Sequence, residues 1–261
     1  MLEYAVKLGF LAEHPFKGKI KKFREAWDNP RYLSPEEKTR LRAALRARDD
    51  SSREERRSLN RWRQERNHKP LPEIGLYSDY LTPLVLTAML TGLRRGELIN
   101  LSWQDIDPRA KTLQVKAKGA RSGKTRTVPL IAECRDMLIE WKQLTEYGHP
   151  GGYVFPDRKG ERLDNINTAF SNLLKAAEVT GLRFNDLRHH YASMLVQEGI
   201  QLYTVRELLG HSDLKMTQRY AHLAPDNLKE AARALDNIRS REVEQAELES
   251  FERRWYKPVQ A

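Results

Sequence analysis

Two neighbouring stretches of this chain alternate apolar and polar residues, and a sheet built from them can only be small. Lys111 to Ala117 and Lys124 to Leu130 share this period of two, and the segment between them holds Gly119, Ser122 and Gly123, which predicts a β-hairpin with a basic tip. Tyr153-Val154-Phe155 is expected to add a third short strand. The remaining apolar spacing is helical. Leu81 to Leu90 is expected as a buried helix broken by Gly92, and Glu97, Leu98 and Leu101 carry the next one. Further helices are expected over Ile131 to Tyr147, Asp164 to Val179, Asp186 to Glu198, and Leu202 to Leu209 ending at Gly210. Leu214 to His222 is a short segment. After Pro225, the residues Leu228, Ala231, Ala232, Leu235 and Ile238 form one stripe of a last helix. The expected class is mainly α with a small antiparallel β-sheet.

Ser34-Pro35-Glu36-Glu37 has the form of a helix start, with Ser34 as N-cap, Pro35 at the first helical position and Glu37 closing a capping box. The main domain is therefore expected over residues 31–238. Residues 1–30 read as a short helical piece plus the basic linker Lys17 to Lys22, and residues 239–261 as a tail that mixes charge with Phe251, Trp255 and Tyr256. Arg46 to Leu76, dense in charge and poor in aliphatics, reads as a solvated helix and a loop.

At 261 residues with 46 Lys and Arg against 36 Asp and Glu, the formal net charge is +10. That balance favours a polyanionic partner, nucleic acid first. The longest apolar run, Leu81 to Leu90, is too short to span a bilayer, and the N-terminus has no basic region followed by a long apolar segment, so a cytoplasmic location is expected. The single cysteine, Cys134, excludes an internal disulfide and is expected in the core; no Cys/His cluster has metal-ligand spacing.

The chemistry concentrates in Leu182 to His222, which holds Arg188, His211 and Tyr220, and in Thr91-Gly92-Leu93-Arg94-Arg95-Gly96-Glu97-Leu98 upstream. Arginine forks grip phosphate oxygens at two points, a histidine donates a further hydrogen bond, and a phenol can attack phosphorus to form an ester. Taken singly, Arg94 is a surface arginine near a helix end, Arg188 a salt-bridge partner and Tyr220 a core tyrosine. Together they imply a phosphodiester substrate.

Three motifs, Thr-Gly-Leu-Arg-Arg-Gly-Glu-Leu at 91–98, Asp-Leu-Arg-His-His-Tyr-Ala-Ser at 186–193, and Val-Arg-Glu-Leu-Leu-Gly-His-Ser-Asp followed by Thr-Gln-Arg-Tyr-Ala-His, resemble the catalytic domain of the tyrosine recombinases, or phage integrases. The resemblance covers most of Tyr32 to Ala234. It implies a site-specific recombinase that cleaves and rejoins double-stranded DNA through a 3′-phosphotyrosyl intermediate without ATP, metal or cofactor, self-associating as a tetramer on DNA. By the family pattern, Arg94 and Arg188 bind the phosphate, His211 is the downstream histidine, Tyr220 the nucleophile and Glu97 an acidic support. The family also has an N-terminal DNA-clamping helical domain, of which Leu2 to Pro15 resemble the last turns.

Two positions depart from that pattern. Asn185 stands where the family usually has a histidine; it can bond a phosphate oxygen or cap the helix from Asp186, but cannot shuttle a proton. His189 is expected to project away from position 185. The lysine that the family carries in its hairpin loop is best matched by Lys118, with Lys116, Arg121 and Lys124 as alternatives. Two other functions share these residues. One is DNA binding without catalysis, with Thr204 to Tyr220 as a helix-turn-helix; the other is type IB topoisomerase-like strand relaxation.

Overall fold

The computed structural model describes residues 1–17, 30–116, 125–225, 236–241 and 244–249. The elements are α1 (Leu2–Lys7), α2 (Pro35–Glu65), α3 (Leu81–Thr91), α4 (Arg95–Ile99), β1 (Ile106–Asp107), β2 (Thr112–Val115), β3 (Arg126–Pro129), α5 (Ala132–Leu144), α6 (Asn167–Ala176), α7 (Asp186–Gln197), α8 (Leu202–Leu209) and α9 (Lys215–Gln218). Short 3-10 turns lie at Trp103–Asp105 and Ala221–Leu223. The mainly helical architecture with a small antiparallel sheet is as expected from the sequence.

Helix α2 begins at the predicted capping box. Ser34 Oγ accepts from the Glu37 amide at 3.2 Å, and Glu37 returns a carboxylate oxygen to the Ser34 amide at 2.9 Å. Leu41 and Leu45 are buried, and Asp49 is buried too because it accepts from the Ser78 amide and from the hydroxyls of Ser78 and Thr82. That triple acceptance ties α2 to the start of α3 and satisfies a carboxylate that burial alone would make costly.

The hairpin strands pair in register Leu113↔Val128 and Val115↔Arg126. Leu113, Val115 and Val128 face the core, so Arg126 stands on the buried face of its strand. The third strand is not Tyr153-Val154-Phe155. It is β1, which pairs Ile106↔Leu113 on the other side of β2, while Tyr153 makes only an isolated bridge to Ser102. Val154 and Phe155 are fully buried as core filling. The hairpin tip, residues 117–124, lies outside the described residues, and with it Lys118, Arg121 and Lys124.

A large core joins α2, α3, α5, α6 and the sheet, and includes Cys134 as expected. A second, smaller one is built from Tyr191, Ala192, Val196, Val205, Leu209 and Tyr220. It fastens α7, α8 and the segment after α9 together. The expected helix stripe at Leu228, Ala231, Ala232 and Leu235 lies outside the described residues; residues 236–241 are helical. Among the described residues, no helix is long and apolar enough to cross a membrane.

Candidate active site

Two helices that end in left-handed glycines converge on Arg188. Helix α3 stops at Gly92 with φ +63°, and α8 stops at Gly210, also with φ +63°. The α8 ending is a Schellman turn, with the Gly210 amide bonding the Glu207 carbonyl and the His211 amide bonding the Arg206 carbonyl, each at 3.0 Å; a side chain with a Cβ is strained at such a φ. Arg188, buried in α7, reaches both helix ends. Its Nη1 donates to the Gly92 carbonyl at 2.8 Å and its Nη2 to the Leu209 carbonyl. Carbonyls at helix C-termini carry partial negative charge, so they compensate a buried guanidinium. Burial, followed by the neighbouring Arg94, still pulls Arg188 down to about 9, a value at which it stays cationic at neutral pH.

Arg94 follows Gly92 by two residues and is partly buried. Its Nη1 donates to Glu97 Oε1 at 3.0 Å, and its amide to Glu97 Oε2 at 2.8 Å. The buried Glu97 carboxylate is gripped from the other side by Arg126, through Nη1 at 3.0 Å and Nη2 at 2.7 Å. Burial works to raise the Glu97 pKa, but the Arg126 hydrogen bonds and charge outweigh it, and the group is held below its ordinary value. Arg126 Nε also donates to the Leu208 carbonyl at 3.0 Å, so it joins the sheet to both α4 and the end of α8.

His211 emerges directly from the Schellman turn. Its Nδ1 lies 2.9 Å from Thr217 Oγ1, which leaves Nε2 for another partner. Burial, then the charges of Arg188 and Arg94, push it down to about 3, so the ring is neutral. Tyr220 sits between α9 and the 3-10 turn that follows, is almost fully enclosed, and places its hydroxyl 2.5 Å from His189 Nδ1. Burial raises the phenol to about 12 and outweighs Arg188 and Arg219, which act to lower it. The arginines alone therefore do not hold a phenolate in the unliganded protein.

The sequence-predicted residues Arg94, Arg188, His211, Tyr220 and Glu97 are thus brought together. Asn185 is exposed at the N-cap position of α7, but its side chain makes no cap hydrogen bond; Asp186 instead accepts from the Arg183 amide at 2.7 Å. The expectation that His189 projects away from position 185 is corrected. Four residues along an α-helix return to nearly the same face, and helical side chains lean back toward the N-terminus. Lys116 is paired with Asp105 at 2.5 Å. Arg126 went unrecognised in the sequence, although its phase with Val128 and Leu130 marks a charge on the buried face of a strand. Thr217 left no signal beyond being a hydroxyl near His211.

Residues 76–227, more than half of the chain, match the phage integrase family. The integrase of Salmonella phage P22 is 34% identical over 189 residues, covering 68% of this chain and 48% of its own length. A tyrosine recombinase XerC-like protein of Caldanaerobacter subterraneus is 34% identical over 199 residues, covering 63% and 51% respectively. The chain spans about half the length of these relatives. Among solved structures, the catalytic domain of bacteriophage HP1 integrase superposes with a TM-score of 0.51 at 26% identity, covering 77% of this chain and 93% of that one. XerH recombinase bound to its palindromic difH substrate shares the fold, with a TM-score of 0.56 at 21% identity over 82% of this chain and 56% of that one. By sequence motif, fold and the arrangement of its buried arginines, the chain belongs to the phage integrase family.

Proposed function

We propose that the chain is a site-specific DNA recombinase or integrase that cleaves and rejoins strands through a 3′-phosphotyrosyl bond at Tyr220, with residues 31–238 as its catalytic unit. The observation that carries this reading is the convergence of Arg94, Arg188, a neutral His211 and Tyr220 around two glycine-terminated helix ends. Arg94 and Arg188 supply positive charge to the non-bridging oxygens of one phosphodiester. Both are preorganised by backbone and carboxylate partners, so they act without reorganisation as charge grows on the phosphoryl group. Thr217, by donating to Nδ1, fixes the proton of His211 on Nε2, where it serves as a further donor.

Tyr220 then attacks phosphorus: its phenolic proton passes to a neighbouring base, the Oη–P bond forms, and the bond to the 5′-oxygen breaks. The leaving oxygen takes a proton and becomes a free hydroxyl. Lys118 is the proposed proton donor, since an ammonium gives up its proton more readily than a guanidinium; the pairing of Lys116 with Asp105 supports this choice. Attack of a second 5′-hydroxyl on the ester rejoins strands without ATP.

Double-stranded DNA is the proposed partner. XerH and the Tn1549 integrase, whose fold this chain shares, were solved with DNA, and the net charge of +10 agrees. Self-association as a tetramer on DNA belongs to the same proposal. The helix-turn-helix alternative is disfavoured because α9 has only 4 residues, too few for a recognition helix.

The test is a pool of labelled duplexes with a randomised core and one nick, incubated with the chain, quenched in detergent and run under denaturing conditions. Recombinase chemistry gives a protein–DNA band that protease removes. DNA binding without any such band would support the non-catalytic alternative.

A further inference from the structure

A phenol at about 12 does not ionise unaided at neutral pH, so something must receive the Tyr220 proton. The position that usually carries a histidine in this family's pattern is here Asn185, which cannot. One turn further along α7, His189 is partly exposed and places Nδ1 2.5 Å from Tyr220 Oη, with ring centroids 5.9 Å apart and planes tilted by 46°. Asn185 and His189 share a helix face, and the lean of helical side chains carries the imidazole back over the turn that begins at Asn185.

We propose that His189 is a catalytic residue, the base that takes the Tyr220 proton through Nδ1 as Oη attacks phosphorus. The inference rests on the recombinase reading of the site above. In the step, the Oη–H bond breaks and its electron pair forms the Oη–P bond, while the proton passes to Nδ1 and makes an imidazolium. The P–O5′ bond breaks and the leaving oxygen takes its proton from the acid of the recombinase reading. The imidazolium returns its proton to Tyr220 when the ester is reversed.

The surroundings suit an acceptor. His189 is faced by Arg219 and Tyr220 from the segment after α9, by Asp186 and Arg188 from its own helix, by Arg183 before it and by His211 across the site. Burial and then Arg219 lower its pKa, with Asp186 opposing, so the ring is neutral and able to accept at physiological pH. Seating a phosphate beside it would offset the arginines and stabilise the imidazolium at the moment it forms.

Two measurements test this. In nitrogen-15 NMR of the full chain, the neutral His189 ring should carry its proton on Nε2, leaving Nδ1 as acceptor; an Nδ1–H tautomer overturns the proposal. In single-turnover adduct formation on the randomised nicked duplexes, His189→Asn keeps an amide at the Nδ1 position but no base. It should slow the reaction by about 10²-fold or more at unchanged DNA affinity. Between about pH 7 and 9 the wild-type rate should stay nearly level, whereas the variant should rise by roughly tenfold per unit, as solvent replaces the lost base. A variant within about twofold of wild type, or a faster His189→Ala, overturns it and leaves the recombinase reading intact. No adduct from the wild-type chain defeats both.

Discussion

Arg126 and Glu97 form a two-point ion pair, at 3.0 and 2.7 Å, between the buried face of β3 and the first turn of α4. Because Glu97 also holds Arg94, the pair sets the position of a residue that neither strand nor helix would fix alone. Removing one member of a buried pair strands the other charge, which typically costs about 3–5 kcal/mol. Arg126→Ala should lose stability in that range by urea denaturation. Arg126→Lys, which keeps the charge without the fork, should lose less. A loss under about 1 kcal/mol for the alanine variant would show that Arg94 and solvent suffice for Glu97.

Gly92 is the second point of leverage. A Cβ there would lie 2.4 Å from Tyr191 Cδ1 at a φ of +63°, and its carbonyl is the Arg188 acceptor. Gly92→Ala should destabilise by about 1–3 kcal/mol for the backbone alone. It should also weaken phosphate binding by displacing α7. A variant with unchanged DNA affinity would separate the α3 ending from the Arg188 fork.

The pH dependence follows from the buried rings. His190 is pushed down to about 4 and His211 to about 3, burial being the largest cause for each. Both are neutral when folded, yet the unfolded chain takes up protons below about 6.5. Unfolded protein then binds more protons than native, so stability falls as pH drops from about 6.5 toward about 4, by roughly 1.4 kcal/mol per unit for each ring. The depressed carboxyl of Glu97 adds a further loss that begins only below its ordinary range, near pH 4.5. Urea midpoints at stepped pH, compared with His211→Gln, should show the slope fall by about one ring. Midpoints level between about pH 6 and 4.5 would contradict buried, neutral histidines.

Much of this architecture is legible in the sequence because it rests on punctuation with a direct physical reading. Ser34-Pro35-Glu36-Glu37, Gly92 and Gly210 mark helix ends that the structure confirms. The strand at Ile106–Asp107 was not legible, since two residues show no period. The carbonyls that hold Arg188 were not either, because a backbone acceptor has no residue-type signature. Arg126 and His189 were legible in principle. One follows from strand phase and the other from helical spacing, but each needed a partner from a distant segment to give it meaning.

Affinity for DNA should fall steeply with salt, each neutralised phosphate contributing a slope of about −0.9 in log affinity against log salt. Filter binding of a labelled duplex from low to physiological salt measures it. A flat dependence would remove the phosphate backbone as the main partner.

The identity of the nucleophile tests the account most directly. Adducts trapped on the nicked duplexes, trimmed with nuclease and digested with protease, should yield by mass spectrometry one modified peptide, with the nucleotide on Tyr220. Tyr220→Phe should bind DNA as well as wild type and give no adduct. A nucleotide on Tyr191 or Tyr203, or an undiminished adduct from Tyr220→Phe, would contradict the account.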